Sequence, residues 1–219
     1  MPSEATELVS VDSPVTGYRI ILPDDWTRLP LRHGTEDAVR RILDEALSRV
    51  PFRASTGQAS DFTRQLESRF RGVVAEARRS GALDLYLPVR KTGTVNLGAS
   101  LVVSETLLPR RGESDAGDPT DVAVRLLSRD GSRNADLSSG ELDGAVAVRR
   151  EHVVPADAGR GAELASRRVE YLASVPGDAA RWFLAAFSTV GGGRPDDELA
   201  DALVEWFDAV MATFRWRRG

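Results

Sequence analysis

The chain has 219 residues, a formal net charge of −4 and no cysteine. Disulfides, thiolate catalysis and cysteine-held iron–sulfur clusters are therefore excluded, and no global attraction to nucleic acid is expected. A hydrophobic content of 42% and a charged content of 28% are those of an ordinary globular protein, long enough to bury one substantial core.

Residues 1–16 are polar, with no basic segment followed by an apolar run. They read as a flexible tail rather than a signal peptide. No apolar run approaches the roughly 18 residues of a membrane span. No membrane insertion and a cytoplasmic location are the expectations. Residues 17–22 (GYRIIL) form the first predicted strand, closed by Pro23, Asp24 and Asp25, and Trp26 restarts the apolar pattern.

Thr35, with Glu36 and Asp37 behind it, opens a helix whose apolar positions are Val39, Ile42, Leu43, Ala46, Leu47 and Val50. Pro51 stops it, a polar linker spans 54–60, and Ser60 or Asp61 opens a second helix that Gly81 ends. The pair reads as a helical hairpin over about 35–80. Leu83, Leu85, Leu87 and Val89 alternate with Asp84 and Tyr86, the period of a strand with one wet face. RKTGT at 90–94 is a turn to a partner strand over 95–104, residues 109–118 are a mobile loop, and Pro119 begins a short helix. Residues 135–137, a turn at 138–144 (SSGELDG) and 145–154 read as a hairpin. Residues 165–175 and a strand from about Arg181 follow.

Residues 182–190 form an apolar strand, broken by Gly191, Gly192 and Gly193. Pro195 suits a first helical turn, and Asp196, Asp197 and Glu198 suit the positive end of a helix dipole. Leu199, Leu203, Trp206, Phe207, Val210, Met211 and Phe214 then recur at steps of three and four, an apolar face wide enough to cover a sheet. The helix is predicted to end among Arg215, Arg217 and Arg218. Strands joined by short turns must be antiparallel. The fold class is therefore α+β: one antiparallel sheet of about six or seven strands, covered by the C-terminal helix and the N-terminal helical hairpin.

Three stretches carry a resemblance to the PsbP-like fold of photosystem II extrinsic proteins and Ran-binding nuclear import factors. They are Leu22, Pro23 and Trp26 after the first strand, Gly144 to Arg149 in the meander, and Thr213 to Trp216 after the last helix. The resemblance covers most of the chain, as one domain over 17–219 with the hairpin at about 35–80 as an insertion. It implies docking onto other proteins and no shared catalytic residues. The whole chain also resembles uncharacterised actinobacterial proteins, some of them associated with secretion or toxin systems.

The chemistry-bearing patterns are sparse. His33 and His152 have no metal-ligand spacing, no G-x-S-x-G elbow occurs, and the paired acids sit where caps are expected. No catalytic residue, metal or cofactor is assigned. Arg28, Arg32, Arg40 and Arg41 with His33 form the densest basic neighbourhood near the start. Trp216 stands among arginines at the other end, where it could lie at an exposed edge. Arg28, Arg32, His33 and Trp216 are the candidate partner-binding residues. A non-enzymatic protein-binding adaptor, chaperone or accessory factor is the first reading. A small-molecule-binding regulatory domain with a pocket between sheet and hairpin is the alternative, and an enzyme with an unrecognised site is the third.

Overall fold

The computed structural model describes residues 13–48, 56–88, 98–108, 118–128, 135–160 and 162–219. In chain order they form β1 (Val15–Arg19), β2 (Trp26–Pro30), α1 (Thr35–Ser48), α2 (Thr56–Arg79), β3 (Ala82–Pro88) and β4 (Ala99–Leu107). Then come α3 (Pro119–Leu127), β5 (Asp136–Leu142), β6 (Ala145–Val154), β7 (Ser166–Val175), β8 (Asp178–Thr189), α4 (Glu198–Ala212) and β9 (Arg215–Arg218). The fold is α+β. Among the described residues, seven strands form one antiparallel sheet in the order β2-β3-β4-β8-β7-β6-β5, and β1 pairs with β9 in a separate two-stranded ribbon.

The apolar repeat of α4 packs Leu203, Val204, Phe207 and Met211 into the largest core, with Leu101, Val103, Phe183, Ala185 and Phe187 of the central strands. Phe207 stacks on Phe187 with ring centroids 4.9 Å apart, and Trp206 stacks on Trp26 at 4.8 Å. Each such aromatic or aliphatic side chain contributes roughly 1.5–3 kcal/mol on burial. A second cluster joins Val39, Ile42 and Leu43 of α1 and Val74 of α2 to Leu29 and Leu85. The Arg71–Glu36 ion pair, 2.6 Å, links the two helices. A third joins Ala123 and Leu127 of α3 to Val148, Leu172 and Trp182.

Several boundaries differ from the predicted ones, each for a local reason. Val15 and Thr16 belong to β1 rather than to a tail, because β9 gives them a partner: Val15 faces Arg218 in the ladder. Residues 1–12, the turn at 90–94 and loop residues 109–117 lie outside the described residues. α2 begins at Thr56, ahead of Ser60. β5 runs on through Ser138–Leu142, so the turn shrinks to Asp143 and Gly144, with φ of 48° and 78°. That is the Asp-Gly pair favoured in tight hairpins.

At the other end, α4 starts at Glu198, because Asp197 caps it: its carboxylate accepts the Ala200 and Gly192 N–H groups at 2.8 and 2.7 Å. Pro195 therefore precedes the helix. The terminal arginines are not a helix end either. The chain leaves α4 at Thr213, and Arg215, Trp216 and Arg217 alternate out, in and out along β9.

Candidate functional site

β3 was expected to turn Asp84 and Tyr86 to water. Both are buried instead: Asp84 is 2% exposed, in a strand closed on both faces. Leu85 points into the helical cluster and Tyr86 into the α4 core, so neither face of β3 is wet. Asp84 shares Tyr86's face by the two-residue period.

A buried carboxylate needs partners, and Asp84 has them from two directions. Arg28 of β2, facing Tyr86 in the ladder, donates from Nε to Oδ1 at 2.7 Å and from Nη2 to Oδ2 at 3.1 Å. This fork is the strong geometry of arginine and carboxylate. Tyr18 of β1 donates its hydroxyl to Oδ2 at 2.5 Å. The Tyr18 and Tyr86 hydroxyls are 2.9 Å apart. Since a carboxylate only accepts, the single Tyr18 proton goes to Asp84 and Tyr86 donates to Tyr18. Burial, with Tyr86 and Asp84 alongside, pushes the Tyr18 hydroxyl far above the usual tyrosine range, and burial raises Tyr86 as well. Both stay neutral donors. The hydrogen bonds from Arg28 to Asp84 outweigh burial and raise the guanidinium further.

This network forms the floor of an open cleft of about 1150 Å³ between the β1–β9 ribbon and the β2 edge of the large sheet. Trp26, Leu22 and Leu83 add apolar wall. Five arginines (Arg19, Arg28, Arg32, Arg181 and Arg217) line it against three carboxylates, Asp24, Asp84 and Glu105. Asp84 is held by Arg28, and Glu105 lies 4.0 Å from Arg181 Nε without a hydrogen bond to it. Arg181 donates to the Val15 carbonyl at 2.6 Å, tying the ribbon to β8. Among the described residues Arg19, Arg32 and Arg217 have no acidic partner. On a protein with net charge −4, the cleft is a local patch of the opposite sign.

Arg28, Arg32 and His33 all line this cleft, Arg28 from β2 and the other two from the bend before α1. Trp216 does not. It is 8% exposed and packs edge-on against Phe183 and Phe214, with Nε1 donating to the Leu142 carbonyl at 3.3 Å. The exposed edge expected for it is corrected by the alternation of β9, which turns Trp216 into the core and its neighbouring arginines out. Arg40 and Arg41, grouped with Arg28 in the sequence, fall on α1 and do not line the cleft.

Sequence reasoning missed Tyr18, Arg19, Asp84, Tyr86, Arg181 and Arg217. Asp84 and Tyr86 carried one usable signal, an acid and a tyrosine set two apart in a strand whose other positions are apolar. The remaining four are brought in by pairings between segments far apart in the chain. Among the described residues no group of three or more His, Asp or Glu side chains could hold a metal, and no helix is long and apolar enough to cross a membrane.

No protein-family profile matches the chain, and no curated protein matches it. Among solved structures it is similar to LpqN of Mycobacterium tuberculosis, described as involved in cell envelope biogenesis. The TM-score is 0.47 and the identity 12%, over 94% of this chain and 87% of that one.

Proposed function

We propose that this chain is a non-enzymatic protein-binding domain, an adaptor or accessory factor, and that it receives its partner in the cleft between ribbon and sheet. The observation that carries the reading is the set of arginines without an acidic partner among the described residues, Arg19, Arg32 and Arg217, around an aromatic wall on an otherwise acidic protein. Such a surface attracts an acidic partner and gives it orientation. The non-enzymatic part is supported by Asp84: the carboxylate best placed to act as a base is held on both oxygens by Arg28 and Tyr18. Neither oxygen is left free of a protein hydrogen bond.

A small anionic ligand is the second reading, favoured by the concavity, although the volume of about 1150 Å³ exceeds the roughly 300–1,000 Å³ of ligand sites. Two measurements separate them. Tagged protein and its Arg32→Gln/Arg217→Gln variant are used to capture partners at moderate salt. A stoichiometric protein bound by the first and lost by the second is the expected result. Thermal stabilisation by a carboxylate or phosphate metabolite, with no such protein, would favour the second reading instead.

A further inference from the structure

We propose that the cleft takes an acidic partner segment in extended conformation, added as a third strand along the free edge of β1. The proposal rests on the protein-binding reading above and names the form and chemistry of the partner.

The first support is the ribbon itself. β1 pairs with β9 on one side only, and among the described residues no strand lies along its other edge. A strand edge left this way presents a row of main-chain donors and acceptors. The second is how the cleft meets β1. Residues 16–20 all line it in succession. Successive side chains on a strand point to opposite faces, so a cleft that touches all four strand residues from Thr16 to Arg19 runs along the edge of the strand. β2 meets the same cleft differently, through the alternate residues Trp26, Arg28 and Pro30, which is the signature of a face. The cleft therefore has a strand edge for one wall and a sheet face for its floor, the arrangement used when a peptide adds a strand and drops alternate side chains into a groove.

The third support is charge. Arg19 lies on β1 itself, Arg217 on β9 and Arg32 past the end of β2, all exposed and without acidic partners among the described residues. Among the described residues, Asp24 is the one lining carboxylate that no ion pair occupies. An incoming strand with alternate carboxylates meets these arginines on one face and Trp26 on the other. Val15 already gives its carbonyl to Arg181, so the open register begins after it, along residues 16–20.

The test uses the full chain and a fluorescent peptide of about ten residues, alternating glutamate and valine, with binding read by anisotropy at low salt. Two isomers N-methylated on alternate residues block one main-chain edge each while leaving charge intact. The parent is expected to bind, one isomer to lose about tenfold or more, and the other to match the parent, since only one edge faces β1. Arg32→Gln/Arg217→Gln weakens all three. Equal binding of both isomers, with that variant still weakening them, overturns strand addition and leaves the cleft as a charged docking surface. No binding by the parent, or binding indifferent to the two arginines, overturns strand addition and the cleft reading together. Amide exchange adds a second readout: protection appearing in residues 16–20 on peptide addition supports the proposal, and unchanged exchange there overturns it.

Discussion

Tyr18 and Asp84 lie on different sheets, and the 2.5 Å hydrogen bond from the Tyr18 hydroxyl to Asp84 Oδ2 fastens the β1–β9 ribbon to the edge of the large sheet. Tyr18→Phe removes the donor to a buried carboxylate and the acceptor for Tyr86 while keeping the ring in the core. Leaving a buried polar group short of a partner costs about 1–3 kcal/mol. Urea denaturation is expected to show that loss, and a variant as stable as the parent would mean the bond does not hold the ribbon.

Arg28 and Asp84 are unequal partners. The Arg28 side chain is 60% exposed and that of Asp84 is 2% exposed. Removing Arg28 strands a buried charge, whereas Asp84→Asn leaves no buried charge and only sets one amide NH2 against Arg28, a side chain that water reaches. Arg28→Met is expected to cost about 3 kcal/mol, the low end for a broken buried pair because water still reaches the arginine side. Asp84→Asn is expected to cost less, and Arg28→Met/Asp84→Asn to recover part of the Arg28→Met loss. A double variant no better than Arg28→Met alone would show that the fork, not the buried charge, carries the effect.

The contrast between these two residues explains how much the chain reveals in advance. The hairpin helices, the meander and the α+β class follow from periodicity and turn residues, which act within a few positions. Arg28, Arg32 and His33 were legible as a basic neighbourhood because they are close in sequence. Asp84 was read as wet because its alternation with leucines fits a one-faced strand. Its burial depends on Tyr18 and the ribbon arriving from a distant part of the chain. Trp216 failed for the same reason: α4 and β9 run together in one apolar period, and only the pairing of β9 with β1 separates them.

Trp216 is expected to behave as a core residue. Trp216→Ala leaves a cavity beside Phe183 and Phe214 and is expected to lower stability by about 3–5 kcal/mol. Partner binding, measured where the variant is still folded, is expected to stay within a few fold of the parent. A stable variant with abolished binding would return Trp216 to the surface role.

The loop before α4 depends on glycine at one position. Gly191 has φ of +56°, and an added Cβ would meet the Asp197 carboxylate, with the Arg194 carbonyl 2.8 Å away. Gly191→Ala therefore strains the backbone and disturbs the cap of α4 together, and a loss above about 1 kcal/mol is expected. Gly34, with φ of +70° and open space at its Cβ position, carries a similar backbone penalty alone. Gly34→Ala is expected to cost less. Thermal melts of the two variants check the order, and the reverse order would remove Asp197 from the explanation.

Glu151 contributes to the acid side of the stability profile. It sits on β6, accepting from Arg149 at 2.7 Å and from Arg167 of β7 at 2.5 Å. The same arginines reach α4, where Arg149 binds Asp208 at 2.9 and 3.0 Å and Arg167 binds Asp201 at 2.6 Å. Burial alone would raise the Glu151 pKa, but the two arginines outweigh it and hold the carboxyl below its ordinary value. A depressed folded pKa means that the unfolded chain takes up the proton first. The stabilisation is therefore complete above the usual glutamate value of about 4.3 and is lost as pH falls through the lower folded value. The stability gap between the parent and Glu151→Gln is expected to be flat near neutral pH and to close below about pH 4. A gap that stays constant down to the acid transition would mean that the clamp between sheet and α4 does not depend on the Glu151 charge.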